Sequence, residues 1–250
     1  VNAVSCTRDG GVLRIVLDRP QRLNAVNTTM LREIEARLHE AREEAVRVVA
    51  LTGAGRVFCS GGDLSGEDTE GAAAAANDVV QAITALPKPV VAGVRGAAAG
   101  FGCPLALACD LVVAARSAVF QLAFTTVGLM PDGGSSVLVP GAIGRARATR
   151  MAMLGEKIPA TTAFEWGMIS HVVDDDAYQS ELDAVVGALA AGPTQSYGWV
   201  KRALAAATLP ALARAQAIEA EGQQALTGTA DFREGVRSFR RRTRPNFRGS

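Results

Sequence analysis

Histidine is almost absent from this sequence. His39 and His171 are its two examples. Four cysteines, Cys6, Cys59, Cys103 and Cys109, show no C-x-x-C spacing, so neither a zinc site nor a redox dithiol is signalled. They read as reduced structural thiols, which suits a cytosolic protein. Aromatic residues make up 5% of the chain, too few for the stacking platforms that bind single-stranded nucleic acid. The formal net charge is +1, which predicts no bulk attraction to nucleic acid or to a membrane surface. No uncharged apolar run reaches the roughly 18 residues of a membrane-spanning helix. The opening VNAVSCTRDGG lacks a basic stretch followed by an apolar one, so no secretory signal is expected.

What is present is a chain of 250 residues, 48% of them apolar. That is enough for a sizeable core in one large domain, or in one domain with a small appendage. The most informative stretch is 88–110, KPVVAGVRGAAAGFGCPLALACD. Residues 90–94 form a short apolar run that fits a buried strand. Gly96, Ala97, Ala98, Ala99 and Gly100 then read as a turn of small residues, where a ligand or another backbone can approach closely. A helix is expected over 102–108. Pro104 is compatible with it, because first-turn donors have no intrahelical partner. Free N–H groups at a helix start favour negative charge, and small residues beside such donors suit an oxyanion site. Tight strand–helix packing without a ligand explains the same residues equally well.

Around this stretch the chain alternates strands and helices. Residues 1–7 and 12–17 read as a hairpin across Asp9-Gly10-Gly11. A helical stripe runs over 28–44, with His39 beside it and half-exposed. A strand follows at 46–52, a loop at 53–66, and a helix at 72–86 ended by Pro87 and Pro89. Strands are predicted at 111–115 and 118–122, helices at 141–154 and 160–166, and a strand remnant at His171-Val172-Val173. This order argues for an α/β fold with sheet pairing between distant turns. After residue 177 the strand signal ends. Helices are expected at 178–191, 194–207, 212–226 and 230–241. The composition divides the chain into an α/β core over 1–191 and a helical part over 192–250.

Gly53-Ala54-Gly55-Arg56-Val57-Phe58 follows a strand and superficially suggests a dinucleotide fingerprint. Phe58 stands where the third glycine belongs and turn residues follow, which weighs against it. A more specific pattern is spread along the chain. Leu17-Asp18-Arg19-Pro20 with Leu23-Asn24-Ala25, Phe58-Cys59-Ser60-Gly61-Gly62-Asp63-Leu64, and Gly96 with Ala106-Leu107-Ala108-Cys109-Asp110 come in order. Gly128-Leu129-Met130-Pro131-Asp132-Gly133-Gly134 and Glu165-Trp166-Gly167-Met168-Ile169 follow, and Asp231-Phe232-Arg233-Glu234-Gly235 closes the series. The chain resembles the enoyl-CoA hydratase/isomerase family, the crotonase superfamily. The resemblance implies a crotonase-like spiral of ββα turns and a helical C-terminal region that trimerises, giving a homotrimer or hexamer. It implies an acyl-CoA thioester as substrate and no separate cofactor. By motif, the backbone N–H groups of Gly62 and Phe101 would hold the oxygen of a thioester enolate. Phe101 departs from the common glycine, but a backbone donor survives that change. Arg22, Ser60, Gly61, Gly62, Asp63, Leu64 and Phe101 would line the CoA and acyl path. Asp63 and Asp110 belong to shared motifs and read as structural. Cys59 has no histidine in its motif and reads as packing.

The acid and base decide the reaction. Family hydratases use two glutamates, and at those positions this chain has Pro104 and Phe124. A carboxylate does occur at Asp132, where isomerases of the family carry an acidic residue. Pro-Asp-Gly is also a plain turn signal, so Asp132 has a structural reading beside the catalytic one. Glu67, Asp68 and Glu70 read as solvated loop residues that border the acyl site in relatives. The C-terminal arginines Arg233, Arg237, Arg240, Arg241, Arg242, Arg244 and Arg248 form either a solvated helix face or a contact to CoA phosphates. The expected activity is migration of a double bond from the 3-enoyl to the 2-enoyl thioester. Hydration or hydrolysis on the same fold, and acyl-CoA binding without turnover, are the alternatives.

Overall fold

The computed structural model describes residues 3–65 and 69–250. Glu67 and Asp68 lie outside the described residues, as does the side chain of Glu70. The chain opens with a hairpin of β1 (Val4–Asp9) and β2 (Val12–Leu17), joined at Gly10 and Gly11, both in the left-handed region. Helix α1 (Thr28–Glu40) is capped by the Asn27 side chain, which accepts from Met30 N. It ends four residues earlier than its periodicity suggests, in turns after Ala41. Strand β3 (Val48–Gly53) and helix α2 (Thr69–Ala85) follow. Then come β4 (Val90–Val94), β5 (Ala97–Ala99) and α3 (Gly102–Leu107).

The three alanines of β5 correct the expectation of a turn at 96–100. They pair in parallel with β7 (Val119–Gln121), which comes after β6 (Leu111–Ala115). On their other side Cys59 N donates to Ala97 O and Ala99 N to Cys59 O. Side chains this small leave no alternation to read, so the strand is set by the backbones flanking it. A second correction concerns 141–154. It holds parts of two helices, α4 (Ser135–Ile143) and α5 (Arg145–Leu154), broken at Gly144 with φ +77° and ψ 157°. Edge strand β8 (Lys157–Pro159), helix α6 (Ala160–Glu165) and strand β9 (His171–Val173) complete the mixed part. Helices α7 (Tyr178–Ala191), α8 (Thr194–Thr208), α9 (Leu212–Thr227) and α10 (Ala230–Arg241) follow close to their expected bounds.

The strands form a six-stranded sheet, β1-β2-β3-β4-β6-β9, and a three-stranded one, β5-β7-β8. Successive turns of chain place one strand in each: β4 then β5, and β6 then β7. The switch after β4 falls at Gly96, where φ is +63° and a Cβ would overlap Arg56 O. From β2 to β9 the large sheet is parallel, so its strands are buried on both faces and read as continuous apolar runs. Val49, Leu51, Val90, Ala92, Val112 and Ala114 face the main core. The alternate residues Val48, Ala50, Val91, Val113 and Ala115 pack under Tyr178, Leu182 and Val186 of α7. That stripe at four-residue spacing explains how α7 docks. Gly93 permits the approach, since a Cβ there would lie 2.6 Å from both Leu182 Cδ2 and Tyr178 Oη.

Candidate active site

Two backbone segments meet at the edge of the small sheet. A Cβ on Gly61, whose φ is +107°, would sit 3.1 Å from Ala99 O and 3.5 Å from Phe101 N. A Cβ on Gly100 would lie 3.2 Å from Gly61 Cα. Glycines are required here because the chains touch. The parallel bridge of Val26 with Gly62 uses Val26 N to Gly61 O and Asp63 N to Val26 O. Among the described residues, neither Gly62 N nor Phe101 N has an intramolecular acceptor. Gly62 is exposed, and nothing lies within 4 Å of where its Cβ would be. Phe101 caps the start of α3 with its ring buried. The structure therefore brings the two sequence-predicted donors to adjoining segments.

The loop carrying Ser60 to Leu64 is stitched to residues 19–26. Ser60 N donates to Leu23 O, and Asn24, fully buried, donates from Nδ2 to Ala54 O and Val57 O. Arg19 Nη2 reaches Asp63 Oδ2 at 3.0 Å. Ser65 bonds the other oxygen, Asp63 Oδ1, through both N and Oγ. Burial pushes the Asp63 carboxyl up, but these bonds outweigh it and leave the group below the ordinary range. Its carboxylate is thus already engaged. Leu64 O accepts from Arg240 Nη2 at 2.7 Å, so one of the C-terminal arginines reaches this loop. Arg237 instead pairs with Glu234, and Arg233 donates to Gly228 O. Arg22 is exposed at the end of a short 3-10 turn, Pro20–Arg22, next to the Leu23 that holds Ser60. Cys59 is fully buried, its thiol pushed up to about 12 by desolvation, which suits packing rather than nucleophilic attack.

The segment that carries Asp132 packs on Phe101 through Gly133. A Cβ on Gly133 would be 2.9 Å from Cδ2 and Cε2 of the Phe101 ring and 3.3 Å from Pro104 Cγ. The Asp132 residue is half-buried, but its Oδ1 is sealed from solvent and bonds to nothing among the described residues. Its Oδ2 accepts from Gln223 Nε2 at 2.9 Å. Burial pushes the carboxyl up, the Glu219 charge adds to that, and the Gln223 bond opposes it. The net value is about 7. Pro104 and Phe124 are buried and apolar, so neither position offers a proton carrier.

Glu219 and Gln223 are site residues that the sequence reading missed. Glu219 is fully buried on α9 and accepts from Gly134 N at 2.7 Å and Ser136 N at 2.8 Å, capping α4. A trace was there: Gln216, Glu219 and Gln223 fall at three- and four-residue spacing, so they share one helical face. A separate cavity of about 250 Å³ lies under α7, lined by Arg14, Thr52, Arg95, Tyr178 and Leu182 among others. None of residues 60–64, 101 or 132 line it.

The profile described as enoyl-CoA hydratase/isomerase matches residues 7–250. A probable enoyl-CoA hydratase of Rhodobacter capsulatus is 44% identical over 96% of this chain and 95% of its own. The 1,2-epoxyphenylacetyl-CoA isomerase of Escherichia coli is 39% identical, with 96% and 95% covered. The crystal structure of an enoyl-CoA hydratase from Mycobacterium avium subsp. paratuberculosis superposes with a TM-score of 0.95 at 41% identity, covering 99% of each chain. The mixed α/β architecture with C-terminal helices is thus the crotonase fold.

Proposed function

Because the chain belongs to the enoyl-CoA hydratase/isomerase family, we propose that it moves a double bond within an unsaturated acyl-CoA, from the 3-enoyl to the 2-enoyl thioester. The observation that carries this is the buried carboxyl of Asp132, which has one oxygen without a hydrogen-bond partner among the described residues and is pushed up to about 7. Asp132 takes a proton from C2. The electron pair left behind delocalises onto the thioester oxygen, which lies between the N–H groups of Gly62 and Phe101. The proton returns at C4 as the double bond settles between C2 and C3. Each oxyanion donor of this kind is worth about 3–4 kcal/mol of barrier where one has been removed. A group with a pKa near the working pH serves well as both base and acid.

One carrier is enough for this exchange, whereas hydration must also activate a water, and Pro104 and Phe124 cannot. Arg22 fits the phosphate end of CoA. The backbone of Ser60, Gly61, Asp63 and Leu64 fits the pantetheine path. The helical region 192–250 fits a role in oligomerisation. A hydratase remains the second reading, because the Rhodobacter capsulatus relative carries that name.

Incubation with a 3-enoyl-CoA and separately with crotonyl-CoA, followed by the absorbance of the conjugated thioester, distinguishes the two. Gain of absorbance from the 3-enoyl substrate is expected, with little loss from crotonyl-CoA. Asp132→Asn should slow the isomerisation by at least about 10²-fold, and a loss of less than tenfold would remove Asp132 from the role. Tight binding of both thioesters without turnover would mark a degenerate binder instead.

A further inference from the structure

The 130–136 segment is held by α9 at several points. A Cβ on Gly134 would lie 2.6 Å from Leu212 Cδ1, and one on Gly222 would overlap Met130 Sδ. Glu219 caps Gly134 and Ser136. Gln223 Nε2 donates both to Met130 O at 2.8 Å and to Asp132 Oδ2 at 2.9 Å. An amide nitrogen has two N–H groups, and both are committed to this one turn. A carboxylate otherwise turns easily about its last torsion, which is broad and two-fold, and its two oxygens are then equivalent. Here one oxygen is tied, and the other is buried without a partner among the described residues.

We propose that Gln223 and Glu219 are positioning residues for Asp132: Gln223 pins Oδ2 and so fixes the rotation of the carboxyl, while Glu219 caps the 134–136 turn beside it and supplies a like charge next to the carboxyl. This rests on the proton-carrier role of Asp132. The groups facing Asp132 act in opposite senses. From α9, Gln223 favours the ionised form and the Glu219 charge disfavours it. From α3, Phe101 and Pro104 lie against the adjacent Gly133 and present no charge. Neither positioning residue is placed to touch the thioester.

The test compares Gln223→Met and Glu219→Gln with the parent protein and with Asp132→Asn. Two readouts are used: the pH profile of kcat and KM on a 3-enoyl-CoA, and titration of the Asp132 carboxyl by 13C NMR without substrate. Gln223→Met should move the acid limb and the carboxyl titration upward, by roughly half a pH unit or more. It should lower kcat by about tenfold and leave KM nearly unchanged. Glu219→Gln should move both titrations downward. Opposite shifts are the signature, since general loosening of the site would move both variants the same way. Equal shifts, or none, would overturn the positioning role. Circular dichroism reports folding; if Glu219→Gln does not fold, the upward shift and the kcat loss in Gln223→Met decide alone. Should Asp132→Asn keep its turnover, the proposed reaction fails, and the NMR titration still answers for the positioning residues.

Discussion

Asp132 is kept in surroundings that disfavour its own charge, and this has a cost outside catalysis. Its carboxyl titrates near 7 in the folded chain, against about 3.9 in an unfolded one. Below about pH 4 the proton is bound in both states and the group costs nothing. As pH rises from about 4 through 7, the unfolded chain ionises more readily, so folding stability is lost across that window. Asp132→Asn removes the titration. The variant should therefore gain stability on the parent as pH is raised from 4 to 8, by on the order of a few kcal/mol at the top, read as a growing Tm difference. A Tm difference that stays flat with pH would show that Asp132 is not the buried acid described. In the proposed reaction the same ionisation acts with the opposite sign: a base must lose its proton, so kcat/KM should fall as pH drops below about 7. Stability and activity pull apart at one residue, as is usual for groups held in strained surroundings.

Helix α8 shows how a C-terminal element is tied to the core. Lys201, buried, sends Nζ to Asp110 Oδ2 at 2.8 Å and to Lys88 O at 3.2 Å. The same Asp110 oxygen accepts from Val90 N at 2.7 Å, where β4 begins. Burial raises the Asp110 carboxyl, and the Lys201 charge counters that without cancelling it. Removing one partner strands the other charge, which typically costs about 3–5 kcal/mol. Lys201→Met should lower Tm clearly, read by thermal melting, while Asp110→Asn combined with Lys201→Met should cost less than Lys201→Met alone. A double variant worse than the single one would mean the pair itself stabilises. Asp110 thus has the structural part its motif suggested, and Asp63 has a similar one through Arg19 and Ser65.

Taken whole, the molecule leaves apolar side chains in solvent on its helical region. Trp199, Val200 and Leu204 on α8, Ile218 on α9 and Phe239 on α10 are all exposed. Scattered apolar residues need no explanation, but several on one region of packed helices do. With the proposed oligomerising role for 192–250, light scattering on purified protein should give the mass of three chains or six, and Trp199→Glu with Leu204→Glu should lower it. A single-chain mass for the parent would remove the trimer. The described residues contain no helix long and apolar enough to cross a membrane.

Local pattern was enough for most of the secondary structure. Apolar alternation, the Asp9-Gly10-Gly11 turn and the Gly-Pro breaks near 192 placed the hairpin, the buried parallel strands and α7 to α10, because each signal acts within a few residues. The motifs at 58–64, 96–110 and 128–134 pointed to the proposed donors and the proposed acid for the same reason. Folding in three dimensions settled the rest. Ala97 to Ala99 became a strand only because Cys59 and β7 lie on either side of it. Gly144 split a helix whose composition looked continuous. The partners of Asp132 could not be read along the chain: Gln223 is 91 residues away. A carboxyl's acidity depends on what surrounds it in space, so the sequence could name Asp132 while burial and Gln223 decided what it can do.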